Sequence, residues 1–129
     1  MDPTKRLPES ESRISTGVKG LNEILNGGLI SQNSYLIRGG PGTGKSTFGY
    51  KFLEAGQQAG EKGLLISLGE SEESIIRNTG ILGIDLSDIK ILDMSPQGQL
   101  GEETSDYTVF HTADVEREPI VDKIVMAME

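Results

Sequence analysis

Apolar residues recur along this chain in two patterns, at intervals of three to four residues and in short continuous runs. The first pattern is typical of amphipathic helices and the second of short buried strands. They predict helices over residues 18–26, 48–59, 72–79 and 119–128, and strands over residues 34–38, 64–68 and 89–92. Polar residues 94–106 are predicted to form a loop. Because helices alternate with strands, we expect an α/β fold in which crossover helices join parallel strands.

Local signals mark the ends of two predicted helices. Ser71 is a candidate N-cap for the third helix, with Glu72 and Glu73 in the first turn, where the helix dipole favours acids. Gly80 is expected to end this helix, and the glycine pair at 27–28 is expected to end the first.

The segment between the first predicted strand and the second predicted helix reads GGPGTGKST, residues 39–47. A glycine, four residues and then Gly-Lys-Ser match the phosphate-binding P-loop pattern, known as Walker A. Glycine allows successive backbone N–H groups to curl around a phosphate, and the following helix directs its positive end at the same charge. The predicted nucleotide-binding residues are Gly40, Pro41, Gly42, Thr43, Gly44, Lys45, Ser46 and Thr47.

Three side chains of this segment have predicted roles. Lys45 adds a positive charge at the β- and γ-phosphate oxygens, Ser46 offers a hydroxyl ligand to Mg²⁺, and Thr47 is placed to reach the α-phosphate. A strand before the loop and a helix after it are the context that the pattern requires. We therefore expect nucleotide binding together with Mg²⁺.

The loop does not specify the nucleoside or the reaction. The chain contains no guanine-reading Asn-Lys-x-Asp, which argues against a GTPase. Nucleoside monophosphate kinases share a similar loop but carry it at the extreme N-terminus, whereas here a predicted helix precedes the strand.

Composition and charge exclude several classes of site. The 129 residues fit one domain, the absence of cysteine excludes disulfides and thiolate metal sites, and a single histidine, His111, excludes a histidine cluster. The net charge is −8 and residues 61–129 hold fifteen Asp/Glu against five Lys/Arg, so nucleic acid is not an expected partner. Apolar runs such as residues 63–68 are too short to span a membrane, and a cytoplasmic location is expected. Residues 1–12 are predicted to be a flexible tail.

Several segments resemble the ATPase domain of KaiC-like proteins, which belong to the RecA-like P-loop NTPases. The resemblance rests on five segments, which are TGVKGLNEILNGGL, the P-loop, LLISLGESEESIIRNTGILGIDL, KILDMSP and DVEREPIVDKIV. The last two segments are similar to archaeal members of the family in particular. It covers residues 13–129 and implies a RecA-like parallel sheet flanked by helices. It also implies ATP and Mg²⁺ as ligands, a relation to circadian-clock and DNA-repair ATPases, and a ring of identical subunits.

The resemblance further implies where water would be activated. In KaiC-like domains the strand after the P-loop helix usually ends in two acidic residues, and the matching positions here are Gly69 and Glu70. Lys45 and Glu70 are therefore the candidate catalytic residues. The alternative for Glu70 is a solvated acid beside the Ser71 helix cap.

The resemblance also implies that the domain is incomplete. The Walker B strand of the family follows the helix predicted at 119–128, where this sequence stops. Asp93 ends a similar apolar run, but the order of motifs places it on an earlier strand, which favours a strand-end role over Mg²⁺ binding. Residues 13–129 are thus expected to be the N-terminal portion of a KaiC-like domain.

Two functions remain open from the sequence. One is an ATP-binding unit of a KaiC-like ATPase that hydrolyses ATP with Mg²⁺. The other is a non-hydrolysing nucleotide-binding or interaction module, because Gly69 and the missing Walker B strand remove parts that hydrolysis needs.

Overall fold

A computed structural model of the protein describes residues 12–100 and 117–128. Residues 1–11 of the predicted tail, His111 and residues 101–106 of the predicted loop lie outside the described residues. Within the described part the elements are, in chain order, β1 (Arg13–Ile14), α1 (Lys19–Ile24), β2 (Leu29–Ile30), α2 (Lys45–Gln58), β3 (Leu64–Ser67), α3 (Glu72–Leu82), β4 (Lys90–Asp93), α4 (Pro96–Leu100) and α5 (Arg117–Met128).

The parallel pair of strands β3 and β4 confirms the predicted α/β arrangement in part, as one strand–helix–strand unit. Leu64 pairs with Lys90 and Ser67 with Asp93, and α3 provides the crossover between the two strands. The backbone N–H of Met94 donates to the Ser67 carbonyl at 2.8 Å, so the pairing continues to the strand ends. Both strands therefore end at the same edge of the sheet.

A small apolar cluster holds helices α2 and α3 against this pair. Tyr50 of α2, Ile75 of α3 and Ile84 form its buried centre, and Ile75 is only 1% exposed. Leu65 of β3 and Ile91 of β4 are partly buried against it. Burial of this surface fixes the start of α2 near the edge of the sheet.

The segment before the glycine-rich loop is held by polar contacts that periodicity did not reveal. Strands β1 and β2 pair antiparallel around α1, with Arg13 opposite Ile30. Thr16 is fully buried, and its N–H and hydroxyl both donate to the Asn22 amide oxygen, at 2.9 and 2.7 Å. Gly17 lies so close to α2 that an added Cβ would be 2.2 Å from the Lys51 carbonyl oxygen. These contacts account for several residues that carry the family resemblance.

The strand predicted at residues 34–38 was wrong. Residues 33–40 are irregular, and in the described part of the chain no strand lies beside them. Leu36 is 83% exposed, while the Tyr35 hydroxyl accepts from the Ile30 N–H and donates to the Ile30 carbonyl. An apolar run becomes a buried strand only where a neighbour pairs with its backbone, and sequence periodicity does not include that neighbour.

The ends of other helices differ from the prediction in informative ways. Gly80 lies inside α3, which continues to Leu82 and ends at Gly83, whose φ is +68°. The Ser71 cap is confirmed, since its hydroxyl accepts from the Ser74 N–H at 3.2 Å. Helix α4 occupies part of the predicted loop, because Ser95 caps it through the Gly98 N–H and Pro96 suits a first helical position.

The predicted C-terminal helix is confirmed as α5, which begins two residues earlier than expected, at Arg117. Within the described residues, no helix is both long and apolar enough to cross a membrane.

Ile75→Ala is expected to destabilise the protein by about 2–5 kcal/mol, because it leaves a cavity at the centre of the cluster. Ile76→Ala, a change of the same size at the next residue, is expected to cost less than about 1 kcal/mol because Ile76 is 56% exposed. Urea unfolding of both variants measures the difference. Equal losses would show that this cluster is not the core.

Gly17→Ala is expected to destabilise the protein by about 2–4 kcal/mol, because Gly17 has a φ of +81° and faces the Lys51 carbonyl. Gly20→Ala is the matched control, since nothing lies within 4 Å of its added Cβ. In helix α1 that substitution should stabilise by about 0.5–1 kcal/mol. Thermal unfolding of the two variants should therefore shift in opposite directions.

Candidate functional site

The glycine-rich loop, residues 39–44, leads directly into α2. Gly42 and Gly44 have φ values of +76° and +91°, in the left-handed region that other residues rarely adopt. Among the described residues, no heavy atom lies within 4 Å of a Cβ added at Gly40, Gly42 or Gly44, so this part of the structure leaves the loop open to approach. The glycines are thus explained by backbone shape and free approach, and not by packing.

The first turn of α2 lies directly after this loop, and within the described residues no side chain caps its backbone donors. Gly44 is the N-cap and has no side chain that could accept a hydrogen bond from these N–H groups. The first turn of the helix contains no acidic residue. The first N–H groups of a helix have no partner within the helix, and they carry the positive end of its dipole. An anion is therefore favoured where loop and helix meet.

Lys45 lies against the carbonyl groups of the loop itself. Its ammonium donates to the carbonyls of Gly39 and Gly40, the latter at 3.1 Å, while the Thr43 hydroxyl donates to the Gly40 carbonyl at 2.8 Å. A Cβ at Gly39 would lie 2.6 Å from the Thr43 hydroxyl oxygen. The loop is thus folded tightly around a positive charge, and Lys45 and the loop residues are exposed.

The second part of the site lies where β3 ends. The Ser67 hydroxyl donates to the Glu70 carbonyl at 2.5 Å and accepts from the Glu70 N–H at 3.2 Å. These two bonds fix the Glu70 backbone just past the strand. Gly69 provides no side chain here, and nothing lies within 4 Å of an added Cβ at that position.

Two cavities connect this strand end with the start of α2. One of about 330 Å³ is lined by Ser46, Tyr50 and Glu70 together with residues of β3, and one of about 320 Å³ is lined by the same three residues and Thr47. Of the predicted site residues, the structure therefore brings Ser46, Thr47 and Glu70 together. Lys45 and the loop glycines lie immediately before them on the chain.

Tyr50 is the functional candidate that sequence reasoning missed. Its hydroxyl donates to the Glu70 carboxylate at 3.4 Å. Burial raises the pKa of Tyr50, and so do the negative charge and the hydrogen bond of Glu70, while the nearby Ser46 hydroxyl lowers it. The sequence signal was its position four residues after Ser46, which places both on one face of a helix.

Asp93 has the strand-end role that the order of motifs favoured. Its carboxylate accepts from the Glu72 N–H at 2.9 Å, and from the Ser95 N–H and hydroxyl at 2.8 and 2.5 Å. The Ser95 hydroxyl, followed by the Glu72 N–H, lowers the pKa of Asp93. The carboxylate thus joins the end of β4 to the starts of α3 and α4.

Comparison with known proteins identifies relatives of this chain. A family model described as the KaiC ATPase matches residues 14–118. A UPF0273 protein of Methanopyrus kandleri is 44% identical over 66 residues, which are 51% of this chain and 26% of the relative. A UPF0273 protein of Pyrococcus furiosus is 43% identical over 74 residues, which are 57% of this chain and 30% of the relative.

A more distant relative carries a functional name. The circadian clock oscillator protein KaiC of Thermosynechococcus vestitus is 41% identical over 81 residues, which are 63% of this chain and 16% of the relative. The chain thus spans less than a third of the length of each of these relatives. Because the family model matches most of its residues, the chain belongs to the KaiC ATPase family.

Proposed function

We propose that this protein binds ATP through the glycine-rich loop and contributes to ATP hydrolysis in a KaiC-like ATPase. The observation that carries the proposal is that Ser46, at the uncapped start of α2 and next to Lys45, lines a cavity together with Glu70. The loop and the first turn of α2 provide a cation and anion-binding amides, and Glu70, which lines the same cavities as Ser46, provides a carboxylate. Membership of the KaiC ATPase family supports ATP as the nucleotide.

In the binding step, the loop amides and the first turn of α2 receive the phosphate oxygens. Lys45 exchanges its carbonyl partners at Gly39 and Gly40 for phosphate oxygens, which bear a full negative charge and form stronger hydrogen bonds. The open space around Gly40 and Gly42 lets the phosphates approach the backbone closely. Binding therefore depends on charge as well as on loop shape.

The residues around Ser46 fit Mg²⁺ held together with a nucleotide. The Ser46 hydroxyl and the Glu70 carboxylate are oxygen donors, and both residues line the same cavity. Such a donor set suits Mg²⁺, which commonly keeps several waters and shares phosphate oxygens with the substrate. Ser46 would supply the protein hydroxyl ligand. When bound, Mg²⁺ supplies positive charge that stabilises the transferring phosphoryl group.

Glu70 is the residue proposed to activate water. Its carboxylate accepts a proton from the attacking water while the water oxygen bonds to the γ-phosphorus. The bond from that phosphorus to the β–γ bridging oxygen breaks, and ADP leaves with the electron pair. Gly69 provides no second carboxylate, so Glu70 carries this role in the chain as it stands.

The partners and the cellular location of this protein are proposed from its membership of the KaiC ATPase family. We expect identical subunits to assemble with ATP between them, in the cytoplasm and without nucleic acid. The exposed apolar residues Tyr35, Leu36 and Ile37 provide surface that association or a further strand would cover.

A second function, a nucleotide-binding or interaction module without hydrolysis, is favoured by two specific observations. Gly69 stands where the family resemblance implies the first of two acidic residues, and residues 33–40 have no strand beside them among the described residues. A site that binds phosphates without ordering the attacking water would retain affinity and lose turnover. Phosphate release therefore separates the two functions.

Lys45→Ala is expected to weaken binding of a fluorescent ATP analogue by about tenfold or more, because charged hydrogen bonds to phosphate are lost. Lys51→Ala is the control on the same helix, since Lys51 pairs with Glu54 at 3.5 Å. Titration with and without Mg²⁺ measures both affinities. Unchanged binding in Lys45→Ala would reject the loop as the nucleotide site.

Glu70→Gln is expected to reduce phosphate release by about 100-fold or more while nucleotide affinity stays within a few-fold, because general-base catalysis contributes about 10²–10⁴. Glu73→Gln, in the exposed first turn of α3, is the matched control and should retain the wild-type rate. Tight binding by the wild-type chain without phosphate release would favour the second function. Full activity in Glu70→Gln would remove Glu70 from the mechanism.

A further inference from the structure

We infer that Tyr50 is a positioning residue, which holds the Glu70 carboxylate toward Ser46 at the start of α2. The inference rests on the proposed function of this site. It assigns no proton transfer to Tyr50, whose hydroxyl acts on the reaction only through Glu70.

The Tyr50 ring is anchored in the apolar cluster. Tyr50 is 7% exposed, and its neighbours in the cluster are Ile75 and Ile84. An aromatic ring packed in this way keeps few rotamers, so the position of its hydroxyl is fixed by the core. The hydroxyl is therefore a rigid group at the wall of both cavities.

The Tyr50 hydroxyl is the polar link between this core and Glu70. It donates to Glu70 Oε2 at 3.4 Å, and Ser46 lies one helical turn earlier on the same face of α2. Within the described residues, Tyr50 is the side chain that donates to this carboxylate. The Tyr50 hydroxyl on α2 thus holds the Glu70 carboxylate, which lies just past the end of β3, near Ser46 on the same helix.

Glu70 needs such a restraint because, within the described part of the chain, the other hydrogen bonds of this residue fix its backbone alone. Ser67 holds the Glu70 N–H and carbonyl, which leaves the side-chain torsions free at an exposed position. A free glutamate loses substantial rotamer entropy on adopting one geometry. The bond from Tyr50 reduces that loss before substrate binds.

The core itself does not require the hydroxyl. Phenylalanine would fill the same space among Ile75, Ile84 and Leu65 without bringing a polar atom into the cluster. The hydroxyl is satisfied, since the described residues include no buried side-chain polar atom without a partner. Its role therefore lies in the bond that it makes, and Tyr50→Phe removes that bond while retaining the packing.

The first test is kinetic and uses the full chain. Tyr50→Phe is expected to lower kcat for phosphate release by about tenfold, with KM and affinity for a fluorescent ATP analogue unchanged within twofold. In a Glu70→Gln background the same change should have no further effect. Tyr35→Phe is the control, because among the described residues its hydroxyl bonds to the Ile30 backbone alone, and its kcat should match wild type. A wild-type kcat in Tyr50→Phe would overturn the inference.

The second test measures the contact independently of activity. In a double-mutant cycle by urea unfolding, Tyr50→Phe should change the unfolding equilibrium constant roughly fivefold to tenfold more in the wild-type chain than in Glu70→Ala. Tyr35→Phe should show no such coupling with Glu70→Ala. Equal effects of Tyr50→Phe in both backgrounds would overturn the inference. If the wild-type chain releases no phosphate, hydrolysis is rejected, and this cycle alone decides whether Tyr50 holds Glu70.

Discussion

The packing of α2 against the β3–β4 pair is the contact on which the described site depends. Tyr50 and Ile75 bury their side chains in one cluster over the two strands, so the helix has little freedom to slide or rotate. That restraint brings Ser46, on the first turn of α2, to the strand end where Glu70 lies. The proposed function needs this rigidity, because displacement of a reacting group by about 1 Å costs roughly 10²-fold in rate.

Hydrogen bonds from polar side chains fix the ends of elements that the small apolar cluster does not reach. Thr16 and Asn22 join the chain before the loop, Ser67 fixes Glu70, and Asp93 ties a strand end to two helix starts. The Thr16, Glu70, Glu72 and Ser95 backbone N–H groups, which lie at element boundaries, each gain a side-chain acceptor in this way. The geometry of the site is therefore set mainly by how its elements end.

Sequence reasoning succeeded where structure is local and failed where it depends on a distant partner. The Ser71 cap and the helix after Lys45 follow from residues within one turn, and both are found. The strand predicted at 34–38 is irregular, because strand formation needs a neighbouring backbone. Within the candidate site, the loop was predicted from its motif. Tyr50 was missed, because a tyrosine at helical spacing indicates packing and does not reveal its hydrogen-bond partner.

The sequence by itself determined the β3–α3–β4 alternation and the candidate phosphate-binding loop, since both rest on residue types at short spacing, and its resemblance to KaiC-like proteins indicated the family. Only the tertiary structure decided that Asp93 joins the end of β4 to the starts of α3 and α4, and that Glu70 lies beside Ser46 and Tyr50. Glu70 is twenty residues from Tyr50 along the chain, and the two meet because burial of apolar side chains places α2 over the end of β3. The spacing of residues in the sequence does not specify which buried faces of helices and strands pack together. Because this packing brings the residues of the site together, the sequence alone did not define the site.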